Sequence, residues 1–495
     1  MPEKTEFDII AERKHKILVA RDEQLAINIL GWHGGRPYID ERLSRFAGET
    51  AVEWEGGTYE NRNVTGRKQQ THALPYLARI VNKINQYTFS EAVMRDDLNT
   101  EISEDISRTG RSLQQIMMEV NSYLTVARWC WIRVDAPNIA GVELTQAEKD
   151  RKKIRPYWSV LSPRSVVDWK IASDGTVEWV LIEWEDYRAD DPRFEATTVK
   201  CRSLWEPGKV TKYWYDQDDM SKIVSSEEKA YNYGKIPIFP VGEISDEPHF
   251  FDDTEGVNRS IMNLGSANYA NFFRCVFPQI YLPISILKNA ASALNVTEAR
   301  AAELLMGFNY PVFLEPEDQV PGYIMPDSAG IESMRKEIKE LVEEMYGTIG
   351  LIHQHPSKQV QSGISKEFDF QDILEVVKER ADILEAAEKK AVQISHEWDD
   401  RFPEWTPKYN RALEVGSLKE DLDAITSASS VQMPPEMVRF ILNKLYERLK
   451  KIGTGKVDPD EEKAILAAIE VFEPSVSLEM LTPDTTPFDE DEEEE

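Results

Sequence analysis

The residues of this chain that most resemble ligands or catalysts are two histidines and a large number of carboxylates. His353 and His355 lie two residues apart in the polar segment HQHPSKQVQSG, with no carboxylate or third histidine close to them. Zinc sites take three or four such ligands, so two exposed loop histidines are the more common explanation. Acid–base catalysis needs one particular pair of carboxylates, and among 88 acidic residues no pair stands out.

Nucleophilic and nucleotide-dependent chemistry also lacks its sequence patterns. Gly265-Ser266-Ala267 is not the nucleophile turn of a hydrolase, because it lies in a helical pattern and lacks the second glycine. The sequence contains no Walker phosphate-binding loop, which excludes the ATPase of a molecular motor. The sequence therefore predicts no catalytic residues, no metal site and no cofactor, and a protein that is not an enzyme.

The charge balance is strongly acidic, with 88 acidic against 58 basic residues and a formal net charge of −30. A protein that binds double-stranded DNA tightly needs a basic surface that neutralises phosphates. The acidic balance therefore indicates either a protein past which DNA slides without binding tightly or a charge that only keeps the protein soluble. Cys130, Cys201 and Cys275 are far apart, which predicts a reducing compartment without disulfides. No segment resembles a signal peptide or reaches the roughly 18 apolar residues of a membrane helix, which predicts a soluble protein without membrane contact.

The first half of the chain changes from helical to strand patterns. Helical periods are predicted at 75–93 and 112–127. From about 128 to 242 the segments are short, β-branched and aromatic, and Asp174-Gly175 between two of them is a hairpin signal. These segments read WCWIRV, YWSVLS, SVVDWKI, VEWVLIEWE, VKCRSLWE and KVTKYWYD. They predict a mainly antiparallel β region in which the tryptophans form a core, more often than a sugar-stacking platform.

The second half is mainly helical. A helix over 253–274 precedes a Pro-punctuated insert at 278–326, which reads as strand QIYLPISIL, helix TEARAAELLMG, then strands YPVFLE and GYIMP. A polar break from Gly350 to Ser365 precedes a very long helix that ends before Pro403. The remainder is predicted to be helical with loops, and the final DEDEEEE should be disordered.

The helix predicted at 328–349 has the clearest pattern in the chain, because one narrow apolar seam runs along it. The seam consists of Ile331, Met334, Ile338, Leu341 and Met345. Its other side is charged, and Glu332–Lys336 has the favourable order for a one-turn pair. At 1.5 Å per residue the helix spans about 33 Å, so the seam needs a neighbouring helix, either that at 253–274 or one of another subunit.

Taken together, these segments resemble the portal proteins of tailed double-stranded DNA phages, from about residue 70 to 472. ALPYLARIVNKINQYTFSEAV resembles the early wing helix, SPRSVVDWKIASDGTVEWVLIEWED the wing strands, and YNYGKIPIFPV the strand that ends them. DTEGVNRSIMNLGSANYANFFRCVFPQIYLP looks like the first stem helix entering the clip, and DSAGIESMRKEIKELVEEMYGTIGL like the second. HQHPSKQVQSGIS resembles the tunnel loop, SKEFDFQDILEVVKERADILEAAEKKAVQISHEW the long wing helix, and ALEVGSLKEDLDAITSASSVQMPPEMVRFILNKL the start of the crown.

The resemblance implies an α+β, portal-like subunit with nine successive parts. These are an N-terminal segment of open placement at 1–70, a wing at 71–252, a first stem helix at 253–277, a clip at 278–326, a second stem helix at 327–349, a tunnel loop at 350–364, a long wing helix at 365–402, a helical crown at 403–480 and an acidic tail at 481–495. In a ring, neighbouring subunits would cover the apolar seam of the stem.

The resemblance also implies partners and a location. It predicts a ring, usually of twelve identical subunits, at one capsid vertex of the virion, assembled in the host cytoplasm with capsid and scaffolding proteins. The clip would meet the large terminase and later a head–tail adaptor, and double-stranded DNA would pass through the ring without sequence specificity. The stem face toward DNA would contain Arg335, Lys336, Lys339, Glu340 and Glu343, and the tunnel loop His353, Gln354, Lys358, Gln359 and Gln361.

Three other interpretations remain open at the level of sequence. Another phage connector or a minor head protein would leave the two-helix stem and its insert unexplained. A carbohydrate-active enzyme using the Trp-rich β region and a carboxylate pair would be a monomer with a pocket. A coiled-coil scaffold is disfavoured by the aromatic β region.

Overall fold

The computed structural model of the chain describes residues 5–59, 62–96, 98–137, 154–188, 197–216, 219–231, 233–276, 279–295, 297, 312–314, 322–324, 329–347, 363–411, parts of 436–446, and 459–471. The chain divides into two compact units, Met1–Leu413 and Glu414–Glu495. Helices and antiparallel sheets occur together in the first unit, which is therefore α+β, as the sequence predicted.

Helices and one hairpin occupy the N-terminal segment. The elements are α1 (Glu6–Glu12), α2 (Lys16–His33), α3 (Gly35–Arg42), α4 (Ala51–Glu55), β1 (Gly56–Tyr59), β2 (Arg62–Thr65) and α5 (Arg67–Gln70). Capping boxes begin two of them: the Thr5 hydroxyl accepts from the backbone N–H of Asp8, and that of Thr50 from Glu53.

Two of the next three helices lie within the segments predicted to be helical, and the short helix between them was not predicted. They are α6 (Tyr76–Thr88), α7 (Thr100–Glu104) and α8 (Leu113–Ala127), with the two-residue strand β3 (Met94–Arg95) between the first two. Ser112 caps α8 in a capping box with Gln115, which explains why the helix begins at Leu113. The predicted helix at 75–93 ends at Thr88 instead.

The β region forms two antiparallel sheets. Their strands are β4 (Trp129–Asp135), β5 (Tyr157–Leu161), β6 (Val166–Ile171), β7 (Val177–Arg188), β8 (Thr197–Glu206), β9 (Lys209–Tyr215), β10 (Ile223–Ala230) and β11 (Ile238–Gly242). One sheet has the order β10-β9-β8-β7-β6 and the other β11-β4-β5. Gly175 turns the β6–β7 hairpin with a φ of +81°, a conformation that glycine adopts without strain.

Five of the eight tryptophans of the β region are buried, and Trp179, Trp184 and Trp214 are half-buried. Trp129, Trp131 and Trp158 are each at most 1% exposed. Trp131 packs edge-on against Trp169, with 5.5 Å between ring centroids. Rings buried in this way hold the sheets together, which weakens the carbohydrate-active interpretation.

Two long helices flank the insert. They are α9 (Phe250–Val276) and α11 (Ala329–Gly347), and the insert between them contains β12 (Gln279–Pro283), α10 (Ile284–Leu294), β13 (Val312–Leu314) and β14 (Gly322–Ile324). Strand β12 pairs in parallel with β13 and antiparallel with β14. The predicted strand QIYLPISIL is wrong beyond Pro283, because residues 284–287 begin a helix; Pro283 directly precedes it, where a missing N–H costs nothing. The predicted helix at 297–307 lies outside the described residues except for Thr297.

The longest helix, α12 (Gly363–Trp398), begins two residues before its predicted start and ends four residues before its predicted end. Glu388 on this helix is fully buried and accepts a bidentate pair from Arg95, at 2.7 and 3.0 Å. The Trp405 indole and the Tyr409 hydroxyl also donate to Glu388, at 2.7 and 2.6 Å. This network fixes the segment after α12, whose short strand β15 (Pro407–Lys408) pairs with β3.

The second unit contains α13 (Pro459–Val471), which coincides with the predicted helical segment DPDEEKAILAAIEVF. The segment SLKEDLDAITSAS and the acidic tail lie outside the described residues. Cys130 and Cys201 are both buried. In the described part of the chain, no helix has the length and apolar character needed to cross a membrane.

Candidate functional site

Helices α9 and α11 pack against each other as an antiparallel pair. The Asn271 amide, near the end of α9, lies 4.0 Å from the Met334 sulfur, near the start of α11. Ile261, in the middle of α9, shares a hydrophobic cluster with Val342 and Met345 near the end of α11. Early residues of one helix therefore meet late residues of the other. We call this pair, with the insert that joins it, the α9–α11 hairpin.

The apolar seam of α11 is partly covered within the chain. Ile331 and Met345 are buried, and Met334, Ile338 and Leu341 are half-buried. The last turns of the seam pack together with Ile80 and Ile84 of α6. Of the two neighbours that the sequence allowed, the helix at 253–274 therefore lies against the seam, with α6 beside it. That other subunits cover the half-buried remainder stays a prediction.

Aromatic side chains anchor the base of the hairpin. Tyr346, at the end of α11, meets Tyr76 of α6 edge-on, with 6.4 Å between ring centroids. Burial raises the pKa of both phenols. Tyr346 also packs against Ile373 and Val377 of α12. Three helices therefore meet the end of α11, so the orientation of its outer face is fixed relative to the body of the unit.

The outer face of α11 carries charges of both signs. Arg335, Lys336, Lys339 and Glu340 are exposed, and Glu343 is partly exposed. Lys336 lies 3.5 Å from Glu340, and Lys339 lies 4.0 Å from Glu343. The structure pairs Lys336 with Glu340 rather than with Glu332, the partner predicted from sequence. Such exposed one-turn pairs contribute at most about 0.5 kcal/mol each, so these charges remain available to other ions.

Ion pairs from the N-terminal segment hold the first turns of α9. Arg21 donates to both carboxylate oxygens of Asp252, at 2.7 and 3.0 Å, and Arg42 does the same to Glu255, at 3.0 Å each. Burial alone would raise the pKa of Asp252, but hydrogen bonds from Arg21 and the His249 backbone outweigh it and the pKa is lowered. The segment of residues 1–70, whose placement the sequence left open, therefore packs against α9.

A second polar cluster extends this contact to the middle of α9. The Arg67 guanidinium donates to Ser266 Oγ at 2.9 Å and is paired with Glu49 at 2.7 Å. The Ser266 hydroxyl also lies 2.8 Å from Thr71 Oγ1. Ser266 is buried inside a helix with these partners. Its environment is that of a packing residue, in agreement with the rejection of a nucleophile turn.

Large apolar side chains are exposed on the hairpin beyond its base. Tyr269 and Phe272, one turn apart on α9, are 45% and 43% exposed, and Tyr323 of β14 is 66% exposed. The described residues also carry exposed large apolar side chains outside the hairpin, such as Val19 and Tyr187, and single ones are ordinary on protein surfaces. Tyr269 and Phe272 continue the apolar period of α9, so the sequence pattern did not distinguish them from the buried residues of that helix.

Among the residues that the structure describes, no group of three or more His, Cys, Asp or Glu side chains could hold a metal ion. The predicted tunnel-loop residues His353, Gln354, Lys358, Gln359 and Gln361 all lie outside the described residues.

Comparisons with solved structures find chains of phage and phage-like particles. A chain in the neck of an empty gene transfer agent particle matches with 9% identity over 80% of this chain and 90% of that chain, with a TM-score of 0.34. A chain in the virion of a native gene transfer agent particle matches with 10% identity over 80% and 90%, with a TM-score of 0.36. The crystal structure of an HK97 family phage portal protein from Corynebacterium diphtheriae matches with 10% identity over 71% and 94%, with a TM-score of 0.31. TM-scores this low do not support a conclusion about function. The sequence matches no protein-family model and no curated protein.

Proposed function

We propose that this chain is a phage portal subunit, which forms a ring around the DNA channel at one capsid vertex. The genome would be packaged and ejected through this ring, and the tail or its adaptor would attach to it. The observation that carries the proposal is the α9–α11 hairpin, which joins two antiparallel helices through a small α/β insert and exposes a face of mixed charge.

The charges on this face suit a surface past which DNA slides. Arg335, Lys336 and Lys339 contact phosphates without reading bases, while the more numerous carboxylates of the same helix prevent tight binding. The exposed pairs on α11 exchange partners at little cost in free energy. A DNA duplex that moves past several copies of this face would therefore make many weak contacts, and no single position along the channel would bind it strongly.

Contacts between copies can use the half-buried part of the apolar seam and surfaces beyond it, since neighbours within the chain cover the seam only in part. Tyr269, Phe272 and Tyr323 are exposed and lie on the hairpin and its insert, where neighbouring copies in a ring would approach each other. We infer a homo-oligomeric ring, usually of twelve subunits in this class of protein. The large terminase, a head–tail adaptor, and capsid and scaffolding proteins would be its other partners in the virion or during assembly.

Changing the predicted tunnel loop tests the proposed role in DNA packaging without disturbing ring assembly. Replacing residues 354–361 by a Gly/Ser linker of equal length should preserve rings, because the apolar packing of the hairpin is outside this segment, while packaged DNA per particle falls at least about tenfold. The control replaces residues 488–495 in the acidic tail by a linker of equal length. Unchanged DNA packaging and retention in the first variant would contradict the assigned role of the loop.

A further inference from the structure

A pocket of about 750 Å³ lies between α6, β11, the loop that follows β11, and α12. Its walls are mainly apolar, with Ile84, Tyr87, Phe239, Val241, Ile373 and Val377 among the lining residues. The volume of this pocket and its lining are typical of a small-molecule site, in which a few polar groups orient an otherwise apolar ligand. We call it the α12 pocket. It takes no part in the function proposed above.

Arg380 is the polar group that distinguishes the α12 pocket. Its side chain lines the pocket, and the residue is only 7% exposed. The guanidinium makes no hydrogen bond or ion pair with any residue that the structure describes, and its Nε is buried without an acceptor. Burial accordingly lowers its pKa. An arginine nevertheless keeps its charge in proteins, and a buried charge without a partner is costly.

No other charged group of the pocket forms an ion pair with Arg380 among the described residues. Arg128 is paired with Glu243. Glu379 also lines the pocket and its charge acts on Arg380, but its side chain is exposed to solvent. Lys390 is exposed, and its ammonium lies 4.9 Å from the centroid of the Phe239 ring. Three cations and two carboxylates therefore line the pocket, and only Arg380 among them is buried.

His249 indicates the sign of the electrostatic potential in the pocket. Burial and then the nearby Arg380 charge lower the pKa of its imidazole to about 3, against a smaller opposing effect of Asp252. Its Nδ1 accepts a hydrogen bond from the backbone N–H of Phe251 at 3.1 Å, which requires an unprotonated nitrogen. The imidazole is therefore neutral, and the pocket keeps an excess of positive charge in a chain that is otherwise strongly acidic.

We propose that the α12 pocket binds an organic carboxylate, with its apolar body between α6 and β11 and its carboxylate on the Arg380 guanidinium. The planar guanidinium matches a carboxylate with two parallel hydrogen bonds. A monoanion balances the single buried charge, whereas a phosphate dianion would bring a second charge into mainly apolar walls.

Octanoate and octanol separate the contribution of the charge from that of the apolar chain. With the full-length protein, isothermal titration calorimetry should give tighter binding of octanoate than of octanol. Arg380→Gln should weaken octanoate binding at least about tenfold and leave octanol binding unchanged, since a charge-assisted hydrogen bond is lost. The matched control is Lys389→Gln, which removes a positive charge from the exposed side of the same helix and should leave both affinities unchanged.

A second variant keeps the test valid if Arg380→Gln fails to fold. Ala386 lines the pocket and is exposed, so Ala386→Trp should fill the pocket and abolish octanoate binding while Arg380 remains. Equal affinities for octanoate and octanol in the wild-type chain would overturn the proposal, as would inorganic phosphate binding as tightly as octanoate. Ring formation is not measured in this experiment, so its outcome is independent of the proposed portal function.

Discussion

Met345→Asp is expected to lower the free energy of unfolding by about 4 kcal/mol and to prevent ring formation. Met345 is fully buried where α11 meets α9 and α6, so the aspartate would either be buried without a partner or force α11 away from its neighbours. Chemical denaturation measures the stability, and sedimentation velocity measures assembly.

The neighbouring position provides the matched control. Glu344 is exposed on the charged side of the same turn, and Glu344→Gln should change the free energy of unfolding by no more than about 0.5 kcal/mol. Rings of normal size from Met345→Asp would contradict the packing of the hairpin described above. Equal stability losses in the two variants would contradict it as well.

Arg95→Met should destabilise the first unit by about 3–5 kcal/mol, because it leaves the Glu388 carboxylate buried without its bidentate partner. The control is Arg411→Met, which removes an equally well-formed but exposed pair with Asp382 and Glu385 on the same helix. An exposed pair contributes about 0–1 kcal/mol. Urea denaturation of both variants compares the two losses.

A double variant separates the charge from the packing of this network. Adding Glu388→Gln to Arg95→Met removes the unpaired charge, while the amide oxygen can accept from the Trp405 indole and the amide N–H can donate to the Tyr409 hydroxyl oxygen. The double variant should therefore be more stable than Arg95→Met alone. A loss from Arg95→Met no larger than that from Arg411→Met would show that Glu388 is not buried as described.

The elements that the sequence predicted well have a strong local period. Helices α8, α11 and α12 each show apolar residues at three- and four-residue spacing, and their observed bounds lie within a few residues of the prediction. The hairpin turn at Asp174-Gly175 was predictable for the same reason, since the requirement for a positive φ is local. The first and last residues of the helices were less predictable, because capping depends on single side chains.

The sequence patterns did not predict features that depend on distant contacts. Strand β10, IVSSEEKA, is an edge strand with an exposed, charged sequence, so it lacks the apolar alternation by which strands are recognised. The pairs Arg21–Asp252 and Arg42–Glu255 join residues more than 200 positions apart, and no local pattern marks them. The cover of the seam by α6 was missed for the same reason.

The charged side chains of the candidate site were predictable as an exposed face, but their partners were not. A period of 3.6 residues places Lys336 and Lys339 opposite the seam, and both are exposed in the structure. Two carboxylates, Glu332 and Glu340, lie one turn from Lys336, and the choice between them depends on rotamers that the sequence does not encode. Arg380 was missed because it lies within an apolar period and only the pocket reveals its lack of a partner.

The central claim is that several copies of the α9–α11 hairpin surround a channel and turn the charged face of α11 toward it. Cryo-electron microscopy of the purified full-length chain tests this most directly. The account predicts closed rings with a central hole wide enough for a duplex, with Lys336 and Lys339 of every copy facing that hole. Monodisperse monomers, or rings in which these two lysines face outward, would contradict it.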